Sequence, residues 1–262
     1  MSKYFTVEVK PTITASKQHA GNIADTQVLF DWTGFDIPKG AARLIGMTVL
    51  YRGKDGADVT PVDFELFFAK SNQRTAQTSP STLGPVAGTV QAPAAGTQPW
   101  FNDLLGKVYI DTGHMTNDGD LVHMNVLNMN EGEVAITDNK ALNPYQGNLI
   151  LQGEPNSGSS AGYEKIYVGA ISKGNSNWET TLDINGTMST SSPVLTVATI
   201  SALVSVAPGD VLHDEDDNLL GTVKQVDSAT QIIMESNLSN ASANNKKVYV
   251  VNPIVLKLHF ER

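Results

Sequence analysis

From its first residues the chain alternates. In YFTVEVK, Phe5, Val7 and Val9 share one face while Thr6, Glu8 and Lys10 share the other. A period of two marks an extended strand that buries one face and wets the other. RLIGMTVLYRG sets Ile45, Met47, Val49 and Tyr51 together, and PVDFELFFAK does the same with Val62, Phe64, Leu66 and Phe68. QVLFDW, GKVYID, DLVHMNVLNM, NLILQG, EKIYVGAIS and TTLDING add further strand candidates, bounded by Gly, Pro, Asn or Asp. No stretch shows the 3.6-residue stripe of a packed helix, and a charged fraction of 17% is low for a helical bundle. The expected fold is all-β, a jelly-roll-like sandwich with a second, smaller β-barrel domain.

Two interruptions set the expected organisation. Residues 71–100 carry Pro80, Pro85, Pro93 and Pro99 and form a long loop. Loops of this length are mobile or functional, so this one is either a surface loop or an arm that buries Leu83, Val86, Val90 and Trp100 against a neighbouring subunit. Near Gly186 the small-residue linker GTMSTSSP leads into strands compressed into roughly 60 residues, the size of a small barrel. PIVLKLHFER then alternates again through Ile254, Leu256, Leu258 and Phe260 and matches the first strand in length and polarity. The expected division is therefore 1–187 plus 252–262 for the sandwich, with 188–251 inserted and the last strand pairing near residues 4–10. Two domains in series are the alternative.

The stretch PGDVLHDEDDNLLGTVKQV places Asp214, Glu215, Asp216 and Asp217 in a row. A helix-flanked calcium loop starting at Asp214 would need Gly at its sixth position and Glu at its twelfth, which are Leu219 and Gln225 here. The expectation is a solvated hairpin turn, with adventitious divalent-ion binding as the alternative. Asp111-Thr112-Gly113 matches the triplet of aspartic proteases, but there two such triplets face each other and this chain has one. His19, His114, His123, His213 and His259 show no metal-ligand spacing. His114 and His123, near Asp111, Asp118 and Asp120, form the one conjunction worth marking. Trp32, Trp100 and Trp178, with Tyr51, Tyr145, Tyr163 and Tyr167, are expected in the core or at an interface rather than flooring a sugar groove. No phosphate-loop, nucleophile-elbow or dinucleotide motif occurs. No catalytic, cofactor or metal residue is assigned, and the chain is not expected to be an enzyme.

A net charge of -9, with basic pairs as short as Lys246-Lys247 and the diluted run from Lys10 to Lys17, argues against nucleic acid as a partner. The absence of cysteine excludes disulfides and thiolate chemistry. No segment reaches the roughly 20 apolar residues of a spanning helix, and the N-terminus lacks the apolar core of a signal peptide. A soluble protein made in the cytoplasm is expected.

Within residues 206–251, Gly209-Asp210-Val211-Leu212 leads through Asp216-Asp217-Asn218 to Leu219-Leu220-Gly221-Thr222-Val223. Val226 to Ile232 and the closing Val248 to Val251 follow. This pattern resembles a module of virion structural proteins from tailed marine and cyanobacterial bacteriophages, with Asn218 in place of the usual turn glycine. The resemblance implies a capsid decoration or cement protein with no cofactor, bound to the major capsid protein and to sister copies. By analogy alone it also implies a homo-oligomer, a trimer, located in the virion. A tail- or fibre-associated adhesin binding host carbohydrate is the alternative.

Overall fold

The computed structural model describes residues 3–52, 62–71, 79–90, 103–112, 116–117, 122–128, 149–180, 182–198 and 206–262. In chain order the strands begin β1 (Tyr4–Val9), β2 (Val28–Pro38), β3 (Ala42–Arg52), β4 (Phe64–Ala69) and β5 (Leu104–Ile110). Next come β6 (Thr116–Asn117), β7 (Val122–Asn128), β8 (Leu149–Leu151), β9 (Glu154–Pro155) and β10 (Tyr163–Ser172). The chain ends with β11 (Val194–Thr196), β12 (Val211–Asp214), β13 (Leu219–Ser228), β14 (Gln231–Met234), β15 (Val248–Val250) and β16 (Ile254–Glu261). One short helix, α1 (Ala15–His19), follows β1.

One sheet has the order β1-β16-β3-β7-β6, with β8 also on β3, and a second has β2-β10-β4-β5, with β9 on β10. Taking the eight principal strands in chain order, the two sheets read 1-8-3-6 and 2-7-4-5. The chain thus crosses between facing sheets at most of its connections, which is the jelly-roll arrangement. Phe64, Leu66 and Phe68 from β4, Met47, Val49 and Tyr51 from β3, and Leu256, Leu258 and Phe260 from β16 meet in one core. These are the faces that alternation assigned. Ile45 departs from it: the β3–β16 register shifts between His259 and Phe260, whose partners are Gly46 and Leu44. The bulge at Ile45 turns Leu44 into the core and leaves Ile45 half-buried.

Strands β11 to β15 form a third sheet, β11-β14-β13-β12-β15, around a separate core that includes Leu182, Leu195, Leu220, Ile232 and Val248. Residues 182–185 close it. Val248 N–H donates to Leu182 O and Ile184 N–H to Lys246 O on one side, while Asn185 N–H reaches Thr196 O on the other. The result is a small closed barrel, a shape that removes free sheet edges. Its core begins at Leu182, a few residues before the expected start at 188, because Trp178 still packs in the sandwich. The barrel lies between β10 and β16, and β16 returns to pair antiparallel with β1, Val7 facing Leu258.

Part of the 71–100 loop is described, and it docks on its own sandwich rather than projecting as an arm. Leu83 is fully buried, and Val86 and Ala87 pack against the core. Asp31 holds the segment by accepting from Leu83 N–H (3.0 Å) and Thr82 Oγ1 (2.6 Å), and Trp32 Nε1 donates to Ser81 O (2.8 Å). Ala87 N–H donates to Val28 O and Val28 N–H to Gly88 O, which covers the start of the edge strand β2. Trp100 and residues 72–78 and 91–99 lie outside the described residues.

Candidate functional site

The acidic stretch forms the expected hairpin turn between β12 and β13, with Asp216 and Asp217 exposed, but the first of its carboxylates is not solvated. Asp214 is 1% exposed at the end of β12. Its Oδ1 accepts the backbone N–H groups of Asp216 and Asn218, both at 3.0 Å, and its Oδ2 accepts Ser242 Oγ at 2.8 Å and Asn218 Nδ2 at 3.1 Å. A carboxylate followed within four residues by backbone donors closes its own turn. Asp217 takes the left-handed conformation (φ 66°) that the turn requires and that a short polar side chain tolerates. Burial raises the pKa of Asp214, but the four donors outweigh it and hold the carboxyl below its usual range.

The other three carboxylates reach outward to fixed partners. Glu215 pairs with Lys246 Nζ (2.8 Å), accepts Lys247 N–H (3.0 Å) and lies 3.8 Å from His19 Nε2. Asp216 shares Lys246 at 2.8 Å. Asp217 accepts both Ser16 N–H (2.8 Å) and Ser16 Oγ, so the barrel's hairpin tip grips the first turn of α1 in the sandwich.

Around this grip the two cores share a polar junction. Gln18, 3% exposed, donates to Ile13 O (2.7 Å) and Val250 O (2.9 Å) at once. His19 Nδ1 meets Tyr249 Oη at 2.9 Å, Ile13 N–H donates to Val251 O, and Asn252 Nδ2 donates to Lys10 O and Pro11 O. Arg52 at the end of β3 pairs with Asp210, which is 8% exposed and also accepts Ala207 N–H. Trp178 stacks on Tyr51 with centroids 5.0 Å apart and donates to Arg52 O. Among the described residues the buried Tyr51 hydroxyl finds no partner of good hydrogen-bond geometry, and burial pushes its pKa far above the usual tyrosine range, with Ser176 opposing the shift in part.

The remaining sequence candidates are dispersed. Thr112 of the Asp-Thr-Gly triplet donates through N–H (3.0 Å) and Oγ1 (2.7 Å) to Asp63, which also accepts Tyr109 Oη (2.6 Å). Those bonds give the triplet's threonine a structural role in a turn. His259 is bracketed by Thr6 Oγ1 (3.0 Å) and Thr48 Oγ1 (3.2 Å), and His213 Nδ1 lies 3.0 Å from Asp217 O. Gly113, His114, Asp118, Asp120 and Tyr145 lie outside the described residues, as does the side chain of His123 on β7. Among the described residues no three His, Asp or Glu side chains gather as a metal ion would require, and no helix is long and apolar enough to cross a membrane. Comparison with family models, with curated proteins and with solved structures finds no match to this chain.

Spacing within the acidic run could test a calcium template but could not reveal Ser16, which is 201 positions away. The one available signal was Ser16, Gln18 and His19 following the irregular segment at Pro11.

The junction carries a pH dependence with a definite sign. Asp214 and Glu215 both have folded pKa values below their ordinary 3.8 and 4.5. For Glu215, burial raises the value, and Lys246 with the Lys247 N–H more than offsets it. A carboxylate lowered on folding contributes stability above its unfolded pKa and loses it as pH falls through the folded value. The amides of Asp216, Asn218 and Lys247, which donate to these groups, should keep their exchange protection at pH 6. They should lose it only below about pH 4, as pH falls through the folded values. Protection that survives acidification to about pH 2 would contradict the assignment.

Proposed function

We propose that the chain is a non-enzymatic structural protein of a phage virion, a decoration or cement subunit that binds the outer shell. The observation that carries this reading is the brace between the cores. Asp217 on Ser16, Asp210 on Arg52 and Gln18 between Ile13 and Val250 fix the barrel on the sandwich. A unit with two cores at a set orientation presents two surfaces at a fixed separation, which suits a subunit bridging neighbours on a lattice. Many weak contacts repeated over a shell multiply into firm attachment. The likeness of residues 206–251 to phage virion modules supports the same reading, and that segment forms most of the barrel. Of the rings that would have favoured a sugar-binding role, Trp178 is stacked on Tyr51, Tyr167 is buried and the Trp32 indole is bonded to Ser81 O, while Tyr163 stays exposed.

The test is reconstitution. Purified protein added to phage particles stripped of it should rebind saturably at hundreds of copies per particle. Binding of a handful of copies, or retention on a glycan array without shell binding, would replace this reading with that of a fibre-associated adhesin.

A further inference from the structure

Asn185-Gly186 is the one Asn-Gly pair in the sequence, and it ends the segment that closes the barrel. On one side of that segment, Ile184 N–H donates to Lys246 O, Asn245 N–H to Ile184 O and Val248 N–H to Leu182 O. On the other, Asn185 N–H donates to Thr196 O and Ala198 N–H to Asp183 O. Just beyond Gly186, Met188 and Ser242 exchange both of their backbone bonds. Asn185 itself is exposed, so water reaches its side-chain amide. Gly186 has a φ of +91°, in the left-handed region that glycine occupies without steric cost.

Such a pair carries a reaction of its own. The Gly186 nitrogen gives its proton to hydroxide and adds to Cγ of Asn185, closing a five-membered ring. The C–N bond of the side-chain amide breaks, and the leaving nitrogen takes a proton from water and departs as ammonia. The succinimide then consumes one water, and opening at one carbonyl or the other gives aspartate or isoaspartate. Glycine favours ring closure because it carries no Cβ beside the attacking nitrogen. The fold adds a partner for that nitrogen. Gly186 N–H donates at 2.6 Å to Oδ1 of Asn244, which lies 58 positions away. While this bond holds, the proton stays in place, and the reaction waits for it to open as amide exchange does. Asn244 is exposed, so rotation of its side chain is enough and unfolding is not needed.

We propose that Asn185 is a site of spontaneous deamidation whose rate Asn244 sets, and that its conversion opens the barrel's closing seam. Isoaspartate routes the main chain through the former side-chain methylene and so lengthens it by one carbon. That carbon falls between Asn185 N–H, held by Thr196 O, and Met188, held by Ser242. The seam is bonded on both sides of the insertion and has no slack to absorb it. The inference stands whether or not the shell reading does.

The test is incubation of the full-length chain in mildly alkaline water enriched in heavy oxygen, followed by mass spectrometry of the peptide containing Asn185. Asn185 should convert with uptake of one solvent oxygen, more slowly in the folded chain than in the same chain unfolded in urea. Asn244→Ala should speed conversion of the folded chain about threefold or more, as expected from loss of one ordinary hydrogen bond. It should leave the rate in urea unchanged. Asn244→Asp keeps an acceptor and sets a carboxylate beside the developing amide anion, so it should convert no faster than the unaltered chain. The isoaspartate form, isolated by ion exchange, should lose exchange protection at Met188 and Ser242, while Ile23 and Ser176 in the sandwich keep theirs. An Asn185 that stays intact in the folded chain while the unfolded chain converts would overturn the proposal. So would equal folded rates for the unaltered chain and Asn244→Ala, conversion to aspartate alone, or an isoaspartate form with its seam still protected.

Discussion

Replacing Leu83 with alanine should destabilise the sandwich by about 2–5 kcal/mol, the range for deleting a fully buried leucine side chain. Leu83 is 0% exposed although it sits in a proline-rich loop. It covers the outer face of β10 at Gly169, where an added Cβ would lie 2.4 Å from Leu83 Cδ1 and 3.2 Å from Trp32 Cε3. Glycine at 169 is thus the space into which the leucine fits. Asp31 fixes the approach through Leu83 N–H and Thr82 Oγ1, so the neighbours cannot simply close over the void. Urea unfolding followed by tryptophan fluorescence reads the effect. Leu83→Met, which conserves volume, should cost less than about 1.5 kcal/mol. A loss below about 0.5 kcal/mol for Leu83→Ala, as at an ordinary surface position, would mean that the segment does not dock in solution.

Asp214→Ala should uncouple the unfolding of the barrel from that of the sandwich. The substitution leaves Ser242 Oγ, the Asn218 amide and two backbone N–H groups facing an apolar methyl. Each stranded buried donor costs about 1–3 kcal/mol, and water entering the gap relieves part of this, so a loss of about 3 kcal/mol is expected. A barrel of this size has little stability in reserve. All three tryptophans, Trp32, Trp100 and Trp178, lie outside residues 182–251, so tryptophan fluorescence follows mainly the sandwich while far-ultraviolet circular dichroism follows both cores. In the variant the dichroism transition should precede the fluorescence transition by about 10 °C or more. Coincident transitions at the unaltered temperature would show that Asp214 does not hold the barrel together. Asp214→Asn keeps the shape and one acceptor, so it should fall between the two.

Much of the sandwich was legible because alternation is a local property. Phe64, Leu66 and Phe68 announce a buried face whatever lies opposite them, and all three are in the core. The return of the last strand to the first was legible from matching length and polarity. Alternation failed at Ile45, where a bulge shifts the pattern by one residue; nothing within RLIGMTVLYRG records that β16 needs the extra step. The acidic run was legible as a hairpin turn, but the burial of Asp214 at its base and the grip on Ser16 were not. Its composition reads as a wet turn, yet the fate of a carboxylate depends on donors brought to it by the fold. Ser242 and Ser16 come from distant parts of the chain, 28 and 201 positions away. Leu83 was expected on a surface loop or buried against a neighbouring subunit, and it is buried against its own sandwich instead. Asp31 and Gly169, the residues that make room for it, look ordinary where they stand in the sequence.

Placement of the barrel before β16 sets an order of events during synthesis. Strand β16 fills the gap between β1 and β3, and its Glu261 meets Tyr4 across 257 positions of chain. A ribosome must therefore release the chain through β16 before the sandwich can complete its first sheet, whereas every partner within the barrel has already emerged. Nascent chains stalled after residue 251 should hold a finished barrel tethered to an open, sticky half-sandwich. Premature termination would yield aggregating fragments rather than shortened working subunits.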